Sequence, residues 1–317
     1  MKYKELYLMG AGWLLEAGIA EAKLDARLLL EYVCKTDRNT LLVHPDLEVS
    51  EEQEKSYVNC IQRRMEHIPL QHITGTQGFM GLEFYVNKDV LIPRQDTEIL
   101  VEEVMPHVHD GMSILDLCTG SGCILISLLQ YSNDCAGVGI DLSEKALQVA
   151  VKNAENILGK KGMQVSMGNV LPVNGEVHFV QGDLLASFYE LPGQMKEKNA
   201  GEAVQTKCFQ TGVKFDIMVS NPPYIATKVI PTLEPEVAEH EPLIALDGRE
   251  DGLYFYQKIM DSAGKYLVRG GMLFFEIGYD QGEAVSRLLM DAGFADVQIK
   301  KDYAGLDRVV FGTFLED

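Results

Sequence analysis

The chain is short of positive charge. Its 28 lysines and arginines stand against 47 aspartates and glutamates, a formal net charge of -19 over 317 residues. That is the wrong sign for a protein that must neutralise many phosphates. Arg63-Arg64 and Lys160-Lys161 are doublets, too short to read as a nucleic-acid tail. The six cysteines, Cys34, Cys60, Cys118, Cys123, Cys135 and Cys208, form neither a Cys-x-x-Cys pair nor a disulfide-like framework, and are expected to be reduced, buried thiols. The histidines do not cluster except at His107-x-His109, where no third ligand is in view, so no metal is expected. No apolar stretch approaches membrane-spanning length. Met1 to Gly12 lacks the charged start, long apolar run and small-residue cleavage site of a signal peptide. The expectation is a cytoplasmic, monomeric protein with no membrane and no direct nucleic-acid partner.

A hydrophobic content of 46 % is enough to bury a proper core in one large domain or two of ordinary size. Two parts differ in pattern. From Tyr3 to about Gly75 the period is helical: Leu24, Leu28, Leu29 and Val33 recur at helical spacing, with Asp25, Arg27, Glu31 and Lys35 between them. Ser50-Glu51-Glu52-Gln53 is a capping box that opens a helix running through Tyr57 and Ile61 to Met65. Residues 1–75 are therefore read as a small helical bundle. Phe79 to Val86, with Gly81 among aromatic and branched residues, reads as a hairpin inside a linker over residues 76–97.

Residues 98–317 alternate strand and helix signals. Ile114 to Leu117, Gly137 to Asp141, Val177 to Gln181, Phe215 to Ser220 and Met272 to Ile277 read as strands. Helices are expected at Glu98 to Val104, Ile124 to Leu129, Ser143 to about Asn156, Leu253 to Leu267 and Val285 to Met290. Such alternation gives a doubly wound α/β fold with a mostly parallel sheet. The last two strands, near Val297 to Lys300 and Arg308 to Phe314, have no helix between them and should be antiparallel neighbours. Gly159 to Asn174 and Ser187 to Gly212 lack sustained periodicity and are expected to be surface insertions, partly mobile.

Ligands of an open parallel sheet bind beyond the carboxyl ends of its strands, and the polar residues of this chain fall there. Cys118-Thr119-Gly120-Ser121-Gly122 follows the first strand and opens a helix. Gly120 and Gly122 let the backbone turn tightly, and the helix start offers free N–H groups. About twenty residues on, Asp141 closes the second strand; it could accept both hydroxyls of a ribose or cap the helix opening near Ser143. Asp183, after the third strand, could bind the same ligand or serve as a turn residue. Together the three ends suggest an adenosine-containing ligand.

The fourth strand ends in Ser220-Asn221-Pro222-Pro223-Tyr224. The Asn221 side-chain carbonyl and the Pro222 main-chain carbonyl are two fixed acceptors, suited to a group with two N–H donors, and Tyr224 offers a flat wall. An amide nitrogen is a poor nucleophile because its lone pair is delocalised. Holding both N–H groups aims that lone pair and stabilises positive charge appearing on nitrogen. The sulfonium methyl of S-adenosylmethionine fits both halves of such a site.

Asn221-Pro222-Pro223-Tyr224 resembles the Asn-Pro-Pro-Tyr motif of class I methyltransferases acting on planar nitrogens, both adenine amines and glutamine amides. The rest of the chain resembles one family. Pro69 to Gly75, Gly78-Phe79-x-Gly81-Leu82-x-Phe84 and Val90 to Glu98 are similar to the linker of the release factor glutamine N5-methyltransferases (PrmC/HemK family). Further matches are His240-Glu241-Pro242, Ala245 to Gly248, Asp251-Gly252-Leu253, Glu276-Ile277-Gly278-x-x-Gln281 and Asp302-Tyr303-x-Gly305-x-Asp307-Arg308-Val309.

The resemblance implies that Cys118, Thr119, Gly120, Ser121 and Gly122 hold the methionine part of S-adenosylmethionine, Asp141 the ribose, and Asp183 with Leu184 the adenine. Asn221 to Tyr224 would bind the glutamine, with Asn221, Pro222 and Tyr224 catalytic and Asn221 also beside the cofactor. The products would be S-adenosylhomocysteine and a methylated Gly-Gly-Gln loop of a bacterial release factor, and residues 1–75 would help dock that factor.

Two positions depart from the family pattern, which usually has Gly at Cys118 and Pro at Gln95. Cys118 carries a β-carbon, so its backbone is expected to adopt angles open to an ordinary residue. Gln95 removes a rigid element beside Arg94. A ribosomal-protein glutamine methyltransferase would use the same chemistry. An adenine-N6 methyltransferase would share the fold and motif, but needs a cationic surface for its substrate. A binding module that has lost turnover is disfavoured by the intact Asn221, Pro222 and Tyr224.

Overall fold

The computed structural model describes residues 1–167, 173–188 and 213–315, which divide into two compact units. The first takes Met1–Thr76 together with Thr232–Glu241, and the second takes the rest. That a ten-residue segment from the far half of the chain belongs to the helical unit was not legible in the sequence.

In the first unit, helices α1 (Tyr3–Glu16), α2 (Ala22–Cys34), α3 (Arg38–Val43), α4 (Glu51–Met65) and α5 (Leu70–Thr74) surround Leu6, Leu14, Leu29, Leu30, Tyr57 and Ile61. The expected capping box opens α4: Ser50 Oγ accepts from Gln53 N–H at 3.2 Å, and Gln53 Oε1 accepts from Ser50 N–H at 3.1 Å. The inward face of α2 differs from the expected one. Ala22, Asp25, Ala26, Leu29 and Leu30 are buried, whereas Leu24 is exposed and Leu28 and Val33 are only half-buried. A charge sits in the core because Arg64 of α4 meets it: Arg64 Nε donates to Asp25 Oδ2 at 2.7 Å, and Arg64 Nη2 to Glu236 Oε1 at 2.8 Å. Buried charges need such partners. The same guanidinium therefore clamps the Thr232–Glu241 segment onto the bundle.

The second unit starts at Gln77, inside the expected hairpin of β1 (Thr76–Phe79) and β2 (Leu82–Tyr85), which is followed by α6 (Gln95–Val104). Gln95 stands at the first helical position, exposed to solvent, and the helix starts there without a proline. The hairpin is fastened to helix α8 (Glu144–Ile157) by Asn153. Its Oδ1 accepts from Tyr85 N–H at 2.8 Å, and its Nδ2 donates to the carbonyls of Tyr85 and Ser121 at 3.0 and 2.9 Å.

The main sheet contains β3 (Ser113–Leu117), β4 (Ala136–Asp141), β5 (Gln164–Met167), β6 (Glu176–Gln181), β7 (Phe215–Ser220), β8 (Leu267–Glu276), β9 (Phe294–Lys301) and β10 (Asp307–Phe314). Their order is β5-β6-β4-β3-β7-β8-β10-β9. All pairings are parallel except those of β10, which runs antiparallel to β8 and to β9. Alternate residues serve opposite faces, as the pleat requires. Ile114, Ile217, Val219 and Phe274 pack with helix α7 (Cys123–Tyr131) in one core cluster. Leu115, Leu117, Met218 and Phe275 pack with helices Tyr254–Met260 and Gly282–Asp291 in the other. From Cys123 to Leu129 every residue of α7 is buried, as expected of a helix apolar all round.

Two expectations need correction. Part of the first supposed insertion is sheet: Gln164 to Met167 pair in parallel register with Glu176 to Phe179 of β6. This is a short edge strand with one half-buried apolar residue, Val165, too little pattern to read from sequence. The remainder of that insertion over 168–172, and 189–212 of the other with Cys208, lie outside the described residues. The helix expected from Leu253 to Leu267 spans only Tyr254–Met260; a 3-10 turn, Ala263–Lys265, then leads into β8, which starts at Leu267. His107 packs its ring on Phe274 and Phe311, with ring centroids 5.7 and 6.2 Å away. Among the described residues no helix is long and apolar enough to cross a membrane.

Candidate active site

Strand order reverses between β3 and β7, because the chain winds outward through β4 and β6 before returning to lay β7 on the other side of β3. Leu117 pairs with Ser220 across this boundary, so Cys118 and Asn221 leave the sheet side by side. A crevice at such a reversal is where open α/β sheets bind ligands.

The turn after β3 is tight. Cys118, Gly120 and Gly122 all have positive φ, 60°, 55° and 79°. Glycine accepts this freely, but cysteine does not, and the expectation of ordinary angles at Cys118 is overturned. The thiol is held where burial and the negative charges of Asp141, Asp116 and Asp183 push its pKa well up, so it remains protonated at neutral pH. Thr119 N–H donates to the Ile140 carbonyl at 3.0 Å, and Thr119 Oγ1 donates to Asp116 Oδ2 at 2.6 Å. Asp116 is fully buried, and its Oδ1 has no hydrogen-bond partner. Burial raises its pKa to about 7, against the hydrogen bonds from Thr119 and the Leu125 N–H.

Asp141 ends β4. Its Oδ2 accepts from Gly120 N–H at 2.9 Å and its Oδ1 from Ser143 N–H at 2.9 Å. The cap of α8 is Ser143 itself, whose Oγ accepts from Ala146 N–H at 3.2 Å. Asp141 thus braces the glycine turn and keeps further lone pairs on both oxygens. Desolvation raises its pKa, opposed by the N–H groups of Ser143, Gly120 and Leu142.

These strand ends line one cavity. Cys118, Thr119, Gly120 and Ser121 line it together with Asp141, Asp183, Leu184, Asn221 and Pro223. Gly122, Pro222 and Tyr224 are not part of its wall. Thr97 of α6, the loop residues Leu91 and Pro93, and Tyr254 and Phe255 also line it. Among these, only the Leu91 to Thr97 stretch carried a sequence signal, through family resemblance alone.

Asn221 is half-buried, and its Nδ2 donates to Thr97 Oγ1 at 3.4 Å, which leaves Oδ1 as the free acceptor. Tyr224 Oη donates to Glu276 Oε1 at 3.3 Å. The main chain of the Asn-Pro-Pro-Tyr turn is pinned from behind. Ile225 N–H donates to the Leu246 carbonyl at 3.0 Å and Gly248 N–H to the Ile225 carbonyl at 2.8 Å. Gln281 Nε2 reaches the carbonyls of Tyr224 and Gly252 at 3.1 and 3.3 Å. A β-carbon on Gly248 would stand 2.8 Å from the Tyr224 backbone, which gives the glycine of Asp247-Gly248 its physical reason.

Two carboxyl groups lining the cavity beside a glycine turn, Asp141 and Asp183, suit a ligand carrying positive charge and hydroxyl donors. Beside them stands a fixed amide acceptor.

Over 315 residues the chain is 36 % identical to a release factor glutamine methyltransferase of Clostridium acetobutylicum, covering 99 % of both chains. The chain belongs to the release factor glutamine methyltransferase family. A second such relative, from Caulobacter vibrioides, is 38 % identical over 303 residues, 94 % of this chain and 91 % of that one. The PrmC N-terminal domain family matches residues 5–75, and a methyltransferase domain family matches residues 108–174. Among solved structures, the release factor-specific protein-(glutamine-N5) methyltransferase of Alicyclobacillus acidocaldarius is 25 % identical, over 74 % of this chain and 100 % of that one, with a TM-score of 0.38.

Proposed function

We propose that this member of the family transfers the methyl group of S-adenosylmethionine to the side-chain amide nitrogen of the glutamine in the Gly-Gly-Gln loop of peptide-chain release factors. Full-length identity to relatives of that name carries the substrate. The observation that carries the chemistry is the Asn221 amide, tethered by its nitrogen to Thr97 with its oxygen left to accept.

The cofactor would rest on the Cys118–Gly122 turn, its ribose hydroxyls on Asp141 and its adenine beside Asp183 and Leu184; when bound, it supplies an electrophilic methyl group. Asn221 Oδ1 and the Pro222 carbonyl accept the two N–H groups of the substrate amide, which turns the nitrogen lone pair toward that methyl and stabilises positive charge growing on nitrogen. The Tyr224 ring keeps the amide in plane. Such orientation can lower a barrier by roughly 7 to 11 kcal/mol. No strong base is required, because the nitrogen becomes acidic once it bonds carbon.

The helical unit would help dock the factor, and the enzyme would act as a cytoplasmic monomer where release factors are found. A charge of -19 supports a protein acceptor over a nucleic acid. The test is tandem mass spectrometry of unmodified release factor incubated with the protein and S-adenosylmethionine. One methyl group on the Gly-Gly-Gln glutamine is expected; an unmodified glutamine with the cofactor demonstrably bound would move the search to ribosomal proteins.

A further inference from the structure

Two stretches of main chain that reach the cavity are joined by one buried side chain. Ser121, on the turn after β3, lines the cavity and is 3 % exposed. Tyr85 ends β2, and the residues after it reach the cavity too: Asp89, Val90, Leu91 and Pro93 are part of its wall. Val86 and Val90, both buried, pack with Ala146 and Val149 of α8. Asn153 of α8 is 1 % exposed and bonds to both stretches. Its Nδ2 donates to the Tyr85 carbonyl at 3.0 Å and to the Ser121 carbonyl at 2.9 Å, and its Oδ1 accepts from the Tyr85 N–H at 2.8 Å. Neither Asn153 nor Tyr85 belongs to the cavity wall.

We infer that Asn153 is a positioning residue for cofactor binding: its amide holds the Ser121–Gly122 peptide of the glycine turn and ties that turn to residues 85–93, so that both parts of the cavity wall keep one shape. This rests on the proposed S-adenosylmethionine site and deepens it, because it extends the supports of that site to the hairpin.

A carboxamide has two N–H donors, and here each serves a different stretch of chain. With nitrogen and oxygen exchanged, the oxygen would face two carbonyls and the nitrogen an N–H, so one orientation alone fits. A peptide is planar, and the Ser121 carbonyl and the Gly122 N–H point to opposite sides of their common unit. Asn153 holds the carbonyl, while the Thr119 carbonyl accepts the Gly122 N–H at 2.8 Å. The peptide is thereby fixed from both ends where Gly122 takes its positive φ of 79°. Asp141 braces a different peptide, at the Gly120 N–H, so the two supports do not replace each other. Truncation of Asn153 deprives two carbonyls and one N–H of this partner in a buried place, which costs free energy until the turn or the 85–93 stretch shifts.

The test is calorimetric titration of S-adenosylmethionine into the full-length wild type, Asn153→Ala and Asn153→Asp, at a temperature where urea denaturation shows each protein to be folded. Asn153→Ala should raise the Kd about tenfold or more. Asn153→Asp keeps the size and the acceptor for Tyr85 but, ionised, has no N–H to give, and should raise the Kd at least as much. A side chain that merely stabilises the fold would move the denaturation midpoint and leave the Kd of the folded protein alone. A Kd within about twofold of wild type in folded Asn153→Ala therefore overturns the inference. If neither variant folds, amide hydrogen exchange in the wild type decides: saturating cofactor should slow exchange at the Tyr85 N–H, outside the cavity wall, by about tenfold or more. An unchanged Tyr85 rate overturns the inference. A wild type that binds no S-adenosylmethionine overturns the cofactor reading and the positioning role with it. The Kd comparison needs no acceptor, so failure of the glutamine proposal is read separately, by mass spectrometry.

Discussion

The Asp141 carboxylate accepts a hydrogen bond from the Gly120 N–H at 2.9 Å, joining the end of β4 to the turn after β3. The acid proposed to hold the ribose thus also shapes the loop proposed to hold the methionine part. Asp141→Ala should weaken S-adenosylmethionine binding about tenfold or more, since it removes a charged acceptor. Asn221→Ala should instead leave that Kd within about twofold and lower kcat by roughly a hundredfold or more, as for loss of a group that acts on developing charge. Calorimetry and single-turnover rates on both variants separate the two roles. Parallel losses in both quantities would remove the division of labour.

Cys118 holds a left-handed backbone at φ 60°, a conformation that costs an ordinary residue about 1 kcal/mol or more and a β-branched one most of all. Replacement should follow that order. Cys118→Gly exchanges relieved strain for a looser unfolded chain and should fall within about 1 kcal/mol of wild type. Cys118→Val should lose about 2 kcal/mol or more and bind cofactor more weakly. Urea denaturation of the three proteins checks the ranking, and a Val variant as stable as wild type contradicts it.

Arg64 is buried between Asp25 and Glu236. Arg64→Ala leaves Asp25 charged in an apolar core and should cost about 3 to 5 kcal/mol. The Glu236 side chain is 24 % exposed, and Glu236→Ala should cost about 1 kcal/mol or less. Unfolding of the full chain followed by helical circular dichroism measures both. Equal losses would show that the Arg64–Asp25 pair does not dominate the clamp.

Asp116 has its pKa raised to about 7 in the folded protein, chiefly by burial, above the unfolded value of about 3.9. A raised carboxyl pKa means the folded state holds its proton more tightly, so its contribution to stability is fully present below about pH 4. It is lost as the pH rises to 7, at no more than about 1.4 kcal/mol per pH unit. Asp116→Asn, which cannot ionise, should therefore gain on wild type between pH 4.5 and 7.5 when stability is compared by urea denaturation. A difference that stays constant with pH would mean that Asp116 is ionised throughout.

Much of the catalytic unit was legible because its signals are local. Gly120 and Gly122 announce a turn, Ser143 a helix cap, and an apolar strand ending in Asn-Pro-Pro-Tyr a rigid edge. Other features carried the wrong local signal. Cys118 looked like a residue with ordinary angles, yet the chain forces it into the conformation of a glycine because the turn must double back before α7. Asp25 looked like a solvated charge until Arg64, 39 residues away, neutralised it. Strand β5 was hidden because an edge strand needs apolar residues on little of its surface.

By itself the sequence determined the alternation of strand and helix, hence the parallel sheet, and it placed Asp141, Asp183 and Asn221 at the ends of strands. Those are consequences of periodicity and of turn chemistry, which neighbouring residues impose on one another. Only the tertiary structure decided that Tyr254 and Phe255 join Cys118 and Asn221 in lining one cavity, and that Thr97 meets Asn221 and Glu276 meets Tyr224. Thr97 is far from Asn221 along the chain and Glu276 from Tyr224, and neither carries a pattern that points to its partner. These meetings depend on the order in which strands join the sheet, and hydrogen bonds of a few ångströms form only after the whole core has closed around them.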